Sequence, residues 1–207
     1  SSIGHLDILS STGDITLNTA ASGINIFFGN STSTLGFKAG SNVTSSSANI
    51  RIISNLINTV GILNNNTTGT LRIEPVAGSS FSSALNTTQI RYSSGITGLI
   101  IGHATNTSNI TIGSATSING PIEVYGGTIS LSGNLTTTNT STGDIVVSCN
   151  SISGNGNISI ANGRTATLSI VNSAEYNGII SGTGSNFIKQ GAGNLTLTGA
   201  NSYTGTT

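Results

Sequence analysis

Pairs of apolar residues separated by one residue recur along most of the chain. Ile15/Leu17, Ile24/Ile26, Ile50/Ile52, Leu71/Ile73, Ile90/Tyr92 and Leu99/Ile101 carry the pattern in the first half. Ile110/Ile112, Ile122/Val124, Ile129/Leu131, Ile145/Val147, Ile158/Ile160, Leu168/Ile170 and Leu195/Leu197 continue it. The residue between is usually polar, as with Thr16, Arg51, Arg72, Arg91, Thr111, Glu123 and Thr196. Alternation with a period of two puts one set of side chains in a core and the other in water. Turn sequences such as Ser132-Gly133-Asn134, Asn162-Gly163 and Asn177-Gly178 separate the runs. The pattern predicts many short strands and an all-β fold.

Strand centres recur at about 10 residues, and every second one at about 20. Arg51, Arg72, Arg91 and Thr111, for example, lie 21, 19 and 20 positions apart. Strands this short cannot bury a core singly, but stacked coils bury a continuous one. The expected architecture is a right-handed parallel β-helix, a solenoid of about 20 residues per coil. About ten coils, each rising about 4.8 Å, would form a rod roughly 50 Å long. A β-sandwich also places strands at this spacing. Strand brevity, an aromatic content of 4% and the lack of two-residue hairpin spacing favour the helix. Residues 1–207 are read as one continuous segment. Ser11-Thr12-Gly13-Asp14-Ile15 returns as Ser141-Thr142-Gly143-Asp144-Ile145, 130 positions later, as expected of a piece of a longer repeat array.

Composition narrows the function. Only 6% of residues are charged, six basic and six acidic, for a net charge of zero, against roughly 25% charged in an ordinary domain. Gly, Ser, Thr and Asn make up about 57% of the chain, a poor mixture for helices. A nucleic-acid binder needs a basic excess that is missing here. One Cys cannot form a disulfide within the chain. No run approaches the roughly 20 apolar residues of a membrane span, and residues 1–7 have no signal-peptide character. The hydroxyl- and amide-rich surface, with one Cys and no Met, suits an exported protein under oxidising conditions.

Candidate chemistry is sparse. No zinc, calcium-repeat or phosphate-loop motif occurs, so neither metal nor cofactor is expected. His5 and Asp7 share a strand face but read as a terminal surface pair, and His103 reads as a turn residue. Glu74, Glu123 and Glu175 lie 49 and 52 positions apart, too far for a catalytic pair on coils of the expected length, so no enzyme is expected. Cys149 continues the Ile145/Val147 face and reads as a small buried hydrophobe. Arg51, Arg72 and Arg91 are expected to point outward, one coil apart, about 5 Å from each other. Such a column repels itself unless Glu74 or a bound anion neutralises it. It is either a solvated ladder balanced by Glu74 and counter-ions, or a ligand-binding stripe for acidic glycans. Outward Thr16, Thr111 and Thr196 suggest ice binding, but coil lengths vary too much for a regular array.

The C-terminal run Lys189-Gln190-Gly191-Ala192-Gly193-Asn194-Leu195-Thr196-Leu197-Thr198-Gly199-Ala200-Asn201-Ser202-Tyr203-Thr204-Gly205-Thr206-Thr207 is distinctive. It resembles the passenger-associated transport repeat of autotransporters, with the pattern K-x-G-x-G-x-L-x-L-x-G-x-N-x-Y-T-G-x-T, and the likeness extends over about residues 178–207. The middle of the chain, from Ile96-Thr97-Gly98-Leu99 to Gly133-Asn134-Leu135, resembles the Ser/Thr/Asn-rich repeats of large bacterial surface adhesins of the filamentous-haemagglutinin and gliding types. The resemblance implies a β-helical stalk, secreted across the outer membrane and held at the bacterial cell surface. Its partners would be a host or environmental surface, polysaccharide included, and flanking repeats of the parent chain, without nucleic acid or membrane insertion. An acidic-glycan-binding module, or a non-catalytic part of a carbohydrate-active β-helix enzyme, are the alternatives.

Overall fold

The computed structural model describes residues 49–207 apart from 54, 60–62, 67 and 93–94, and, before them, the strands Asn25–Phe28, Thr34–Phe37 and Ser41–Thr44. It is a parallel β-solenoid, as the alternation predicts. One sheet runs its length through Asn25–Phe28, Asn49–Ile53, Thr70–Glu74, Gly98–Ile101, Ile122–Leu131, Ile145–Gly154, Thr165–Ile170 and Asn186–Gln190. Asn25 pairs with Asn49, Ile50 with Leu71, Leu71 with Leu99, Leu99 with Ile122, Ile122 with Ile145, Ile145 with Ala166, and Ala166 with Phe187. These pairings mark seven turns of unequal length, and the turn from Leu71 to Leu99 is the longest. At about 4.8 Å per turn the register steps span about 34 Å.

Among the described residues the register steps run from 21 to 28 residues, and the coils carry three strands, not two. After Ile122–Leu131, which bends through Gly126 and Gly127 and so serves two faces, comes Leu135–Thr137 in a separate five-stranded sheet. That sheet stacks Thr116–Ile118, Leu135–Thr137, Ile158–Ser159, Ile180–Gly182 and Ser202–Tyr203. Among the described residues the only helical element is a single 3-10 turn, Thr87–Gln89. The first copy of the Ser-Thr-Gly-Asp-Ile repeat, and the apolar pair Ile15/Leu17, lie outside the described residues.

Alternation explains the core. Ile50, Leu71, Leu99, Ile122, Ile145, Ala166 and Phe187 form one buried file in register, and Ile52, Ile73, Ile101, Val124, Val147 and Leu168 a second. Stacking like on like lets every coil reuse the same packing, so the core grows with length. Cys149 is buried in the same core, as expected, and burial pushes its thiol pKa up to about 12. Leu195 and Leu197 are only partly buried. Ile96, Leu135, Ile152, Tyr176, Ile180 and Phe187 also enter the core. Each is a single inward residue outside the apolar pairs that mark the other strands.

Candidate functional site

Arg51 and Arg72 are register partners on neighbouring strands of the long sheet, both outward. The sequence expectation holds for this pair. Arg91 does not join it. It lies on Ile90–Tyr92, in a different sheet that pairs with Leu63–Asn66, and its register partner is Asn64. The column fails for a physical reason. With three strands per coil, the step from Arg72 to Arg91 ends on another face, because the coil that leaves the long sheet after Leu71 returns to it only at Leu99. The position above Arg72 is Ile100, then Glu123, Val146, Thr167 and Ile188.

Glu74 bridges the pair and offsets half of its charge, as the spacing suggested. By alternation it points outward with Arg72, yet it is only 3% exposed. Its Oε1 accepts from Arg51 through both Nε and Nη2, and its Oε2 lies 3.4 Å from Arg72 Nε. One carboxylate thus bridges two guanidinium groups on adjacent coils, replacing repulsion with charge-assisted hydrogen bonds. Ile53 sits below Glu74 in register. Above it the strand gives way to Gly102, with φ of +74°. A Cβ at Gly102 would run into the Tyr125 carbonyl oxygen, so glycine is required there for space as well as for conformation.

Two stacked loops flank the charged cluster, and the first of them lies in the long coil. Residues 75–84 and 102–109 are tied by Thr107 N–H to Ser80 Oγ (2.9 Å), by the Ser80 and Thr107 hydroxyls (3.0 Å) and by Ser108 Oγ donating to the Phe81 carbonyl. Buried Asn106 fastens three coils. Its Oδ1 accepts from Phe81 N–H at 3.2 Å, and its Nδ2 donates to the Tyr125 carbonyl at 2.9 Å. His103 is a turn residue, as expected. Its Nδ1 lies 3.2 Å from the Thr105 backbone nitrogen and its Nε2 lies 3.3 Å from the Val76 carbonyl oxygen. Between the loops and the charged cluster lies a cleft of about 300 Å³, lined by Arg51, Glu74 and His103 together with small or hydroxyl-bearing loop residues.

The other candidates lie apart. Glu123, two positions above Arg72 in the same column, accepts from Tyr125 Oη at 2.7 Å. Burial first, then this carboxylate, pushes the Tyr125 pKa up to about 12. Glu175 is exposed on Ala174–Tyr176. Asp144, from the second copy of the short repeat, accepts from Arg164 through both oxygens and from Thr165 N–H at 2.9 Å. Partial burial works to raise its pKa, but these donors outweigh it and hold the carboxyl below the usual range. His5 and Asp7 lie outside the described residues. Among the described residues no three His, Cys, Asp or Glu side chains gather as a metal site, and no helix is long and apolar enough to cross a membrane.

The C-terminal repeat forms the last described coil, and its fixed positions hold that coil to its neighbour. Lys189 Nζ donates to the Gly191 carbonyl at 2.7 Å across a turn in which Gly191 has φ of +80°. Gly199 lies so close to the Gly178 carbonyl one coil below that a Cβ would overlap it. Asn201 Oδ1 accepts from Ile180 N–H at 2.8 Å. The Tyr203 ring packs against Phe187, with centroids 5.7 Å apart. Gly205 N–H then donates to the Ser185 carbonyl at 2.9 Å, and Asn186 Oδ1 accepts from Thr206 N–H at 2.9 Å. No curated protein and no solved structure matches the chain. The family model of the passenger-associated transport repeat does match, over residues 187–207, so the pattern seen in the sequence and the coil seen in the fold coincide.

Proposed function

We propose that the chain is a stalk segment of an autotransporter-type passenger, carried outside a bacterial cell and used in attachment. One observation carries the reading: the transport-repeat match falls on a single coil of a parallel β-solenoid, with its fixed residues Gly199 and Asn201 engaged in coil-to-coil contacts. Charge-poor coils that bind chiefly to their neighbours suit a chain that folds stepwise after crossing a membrane, because each coil presents a ready template to the next. A stack with a buried apolar file and outward hydroxyls and amides serves reach and surface contact. The role proposed is mechanical and adhesive, not enzymatic.

Surface display tests it. The chain is fused to an outer-membrane translocator barrel, and intact cells are probed with protease and antibody and scored for attachment to host-cell and abiotic surfaces. The reading expects an antibody-accessible chain, a protease-resistant core and gained attachment. Normal export with no gain of attachment on any surface would contradict the adhesive part, and a folded chain retained inside the cell would contradict the stalk itself.

A further inference from the structure

The position above Leu168 on the long sheet is Lys189. It continues the buried file of Ile52, Ile73, Ile101, Val124, Val147 and Leu168, which is aliphatic throughout. Alternation along Asn186–Gln190 buries Phe187, exposes Ile188 and turns Lys189 back toward the core. Its Nζ donates to the Gly191 carbonyl at 2.7 Å, so the stem covers the end of the file while the charge meets a polar partner at the turn. A second change falls on the same coil. Phe187 and Tyr203 come from different sheets, and their rings meet with 5.7 Å between centroids. Beneath them in register lie Ala166, the smallest residue of its file, and Gly182. Tyr203 is partly buried against the core, and its hydroxyl lies 2.9 Å from Thr207 Oγ1.

Phe187, Lys189 and Tyr203 all fall within the matched transport repeat, and Lys189 and Tyr203 hold fixed positions of its pattern. Stacked coils continue where each new layer finds an apolar layer to cover. A strand laid over Lys189 would strip its ammonium of water, and a buried charge without a partner is costly. An inward-pointing charge therefore blunts a strand edge against pairing with other chains. We infer that the transport-repeat coil is a built-in cap, which keeps a solenoid exposed at this coil from recruiting strands of a second copy. Lys189 closes the aliphatic file, and the Phe187–Tyr203 rings close the core beside it. The cap follows from residue type and register, and holds whether or not another coil follows. A further coil is seated on it only by bringing a carboxylate or another acceptor to Lys189. For a chain that folds coil by coil, such a layer seals the part already folded. The cap does not depend on the attachment reading.

Light scattering of the whole chain over rising concentration tests the cap, with thermal melts as the second readout. Lys189→Leu continues the apolar file, and Lys189→Arg keeps a cation at the end of a long stem. Thr136→Leu is the control, adding the same apolar side chain at an outward position of a strand paired on both sides. Lys189→Leu should melt no lower than the unsubstituted chain, because leucine packs on Leu168 as the aliphatic residues below pack on one another. Its average mass should rise about twofold or more over that of the unsubstituted chain at the same concentration, as edges pair between copies. Lys189→Arg and Thr136→Leu should keep the unsubstituted mass. An unchanged mass in Lys189→Leu, a lowered melting temperature in that variant, or equal association of Lys189→Arg or Thr136→Leu would overturn the cap.

Discussion

Asparagine does two jobs in this chain, and only one of them shows in the sequence. Its abundance at turns is legible from turn chemistry. Its second job is to accept a backbone N–H from an adjacent coil: Asn49 from Thr70, Asn134 from Asn157, Asn157 from Ile179 and Asn201 from Ile180, at 2.8–2.9 Å. Asn157→Ala should cost about 1 kcal/mol in denaturant unfolding. Glycine divides in a similar way. Gly163 has φ of +71° with open space around it, whereas Gly156 would put a Cβ into the Gly133 carbonyl. Gly163→Ala should therefore cost about 1–2 kcal/mol from backbone strain alone, and Gly156→Ala should cost more because two coils must separate. Thermal melts of the two variants check the order. Asp144 sets a pH limit. Its folded pKa is lowered, so its contribution is present above the unfolded value near about 3.9 and lost as pH falls through the folded one. Asp144→Asn should lower the melting temperature at neutral pH and flatten its fall below about pH 4.

At the scale of elements, the alternation placed the paired core residues correctly because burial on one face demands it. Ile50/Ile52, Leu71/Ile73 and Ile122/Val124 are all buried as the pattern required. The number of strands per coil was not legible. Strands such as Leu135–Thr137 and Ile180–Gly182 each bury one large apolar side chain and leave no period to read. Arg91 was misplaced for that reason, while the Arg51–Glu74–Arg72 bridge was foreseen because one whole coil separates the two arginines. The cleft beside it was not foreseen, since it depends on loop 75–84 stacking on loop 102–109. Asn106 holds that stack. Asn106→Ala leaves the Phe81 N–H and a partner of the Tyr125 carbonyl unmade, a loss of about 2–4 kcal/mol for two buried groups. Amide exchange should speed up across both loops while the strands Ile145–Gly154 and Thr165–Ile170 keep their protection.

At the scale of the whole molecule, the fold is a sum of neighbour contacts. Each strand of the long sheet pairs only with the strand one coil before and one coil after, apart from the short Ile110–Ile112 branch. A structure built this way loses order coil by coil, because opening one coil leaves the packing of distant coils intact. The resemblance seen at the C-terminus and the family match at 187–207 concern one coil, which stacks in parallel register on the coil below it. Native-state hydrogen exchange, resolved by coil across rising denaturant, is the most direct test of this stacked-coil account. The expected result is a graded set of opening energies, highest in the coils spanning Ile122–Ile170 and lower in the two coils bearing the loops at 75–84 and 102–109. A single opening energy shared by every coil would contradict it.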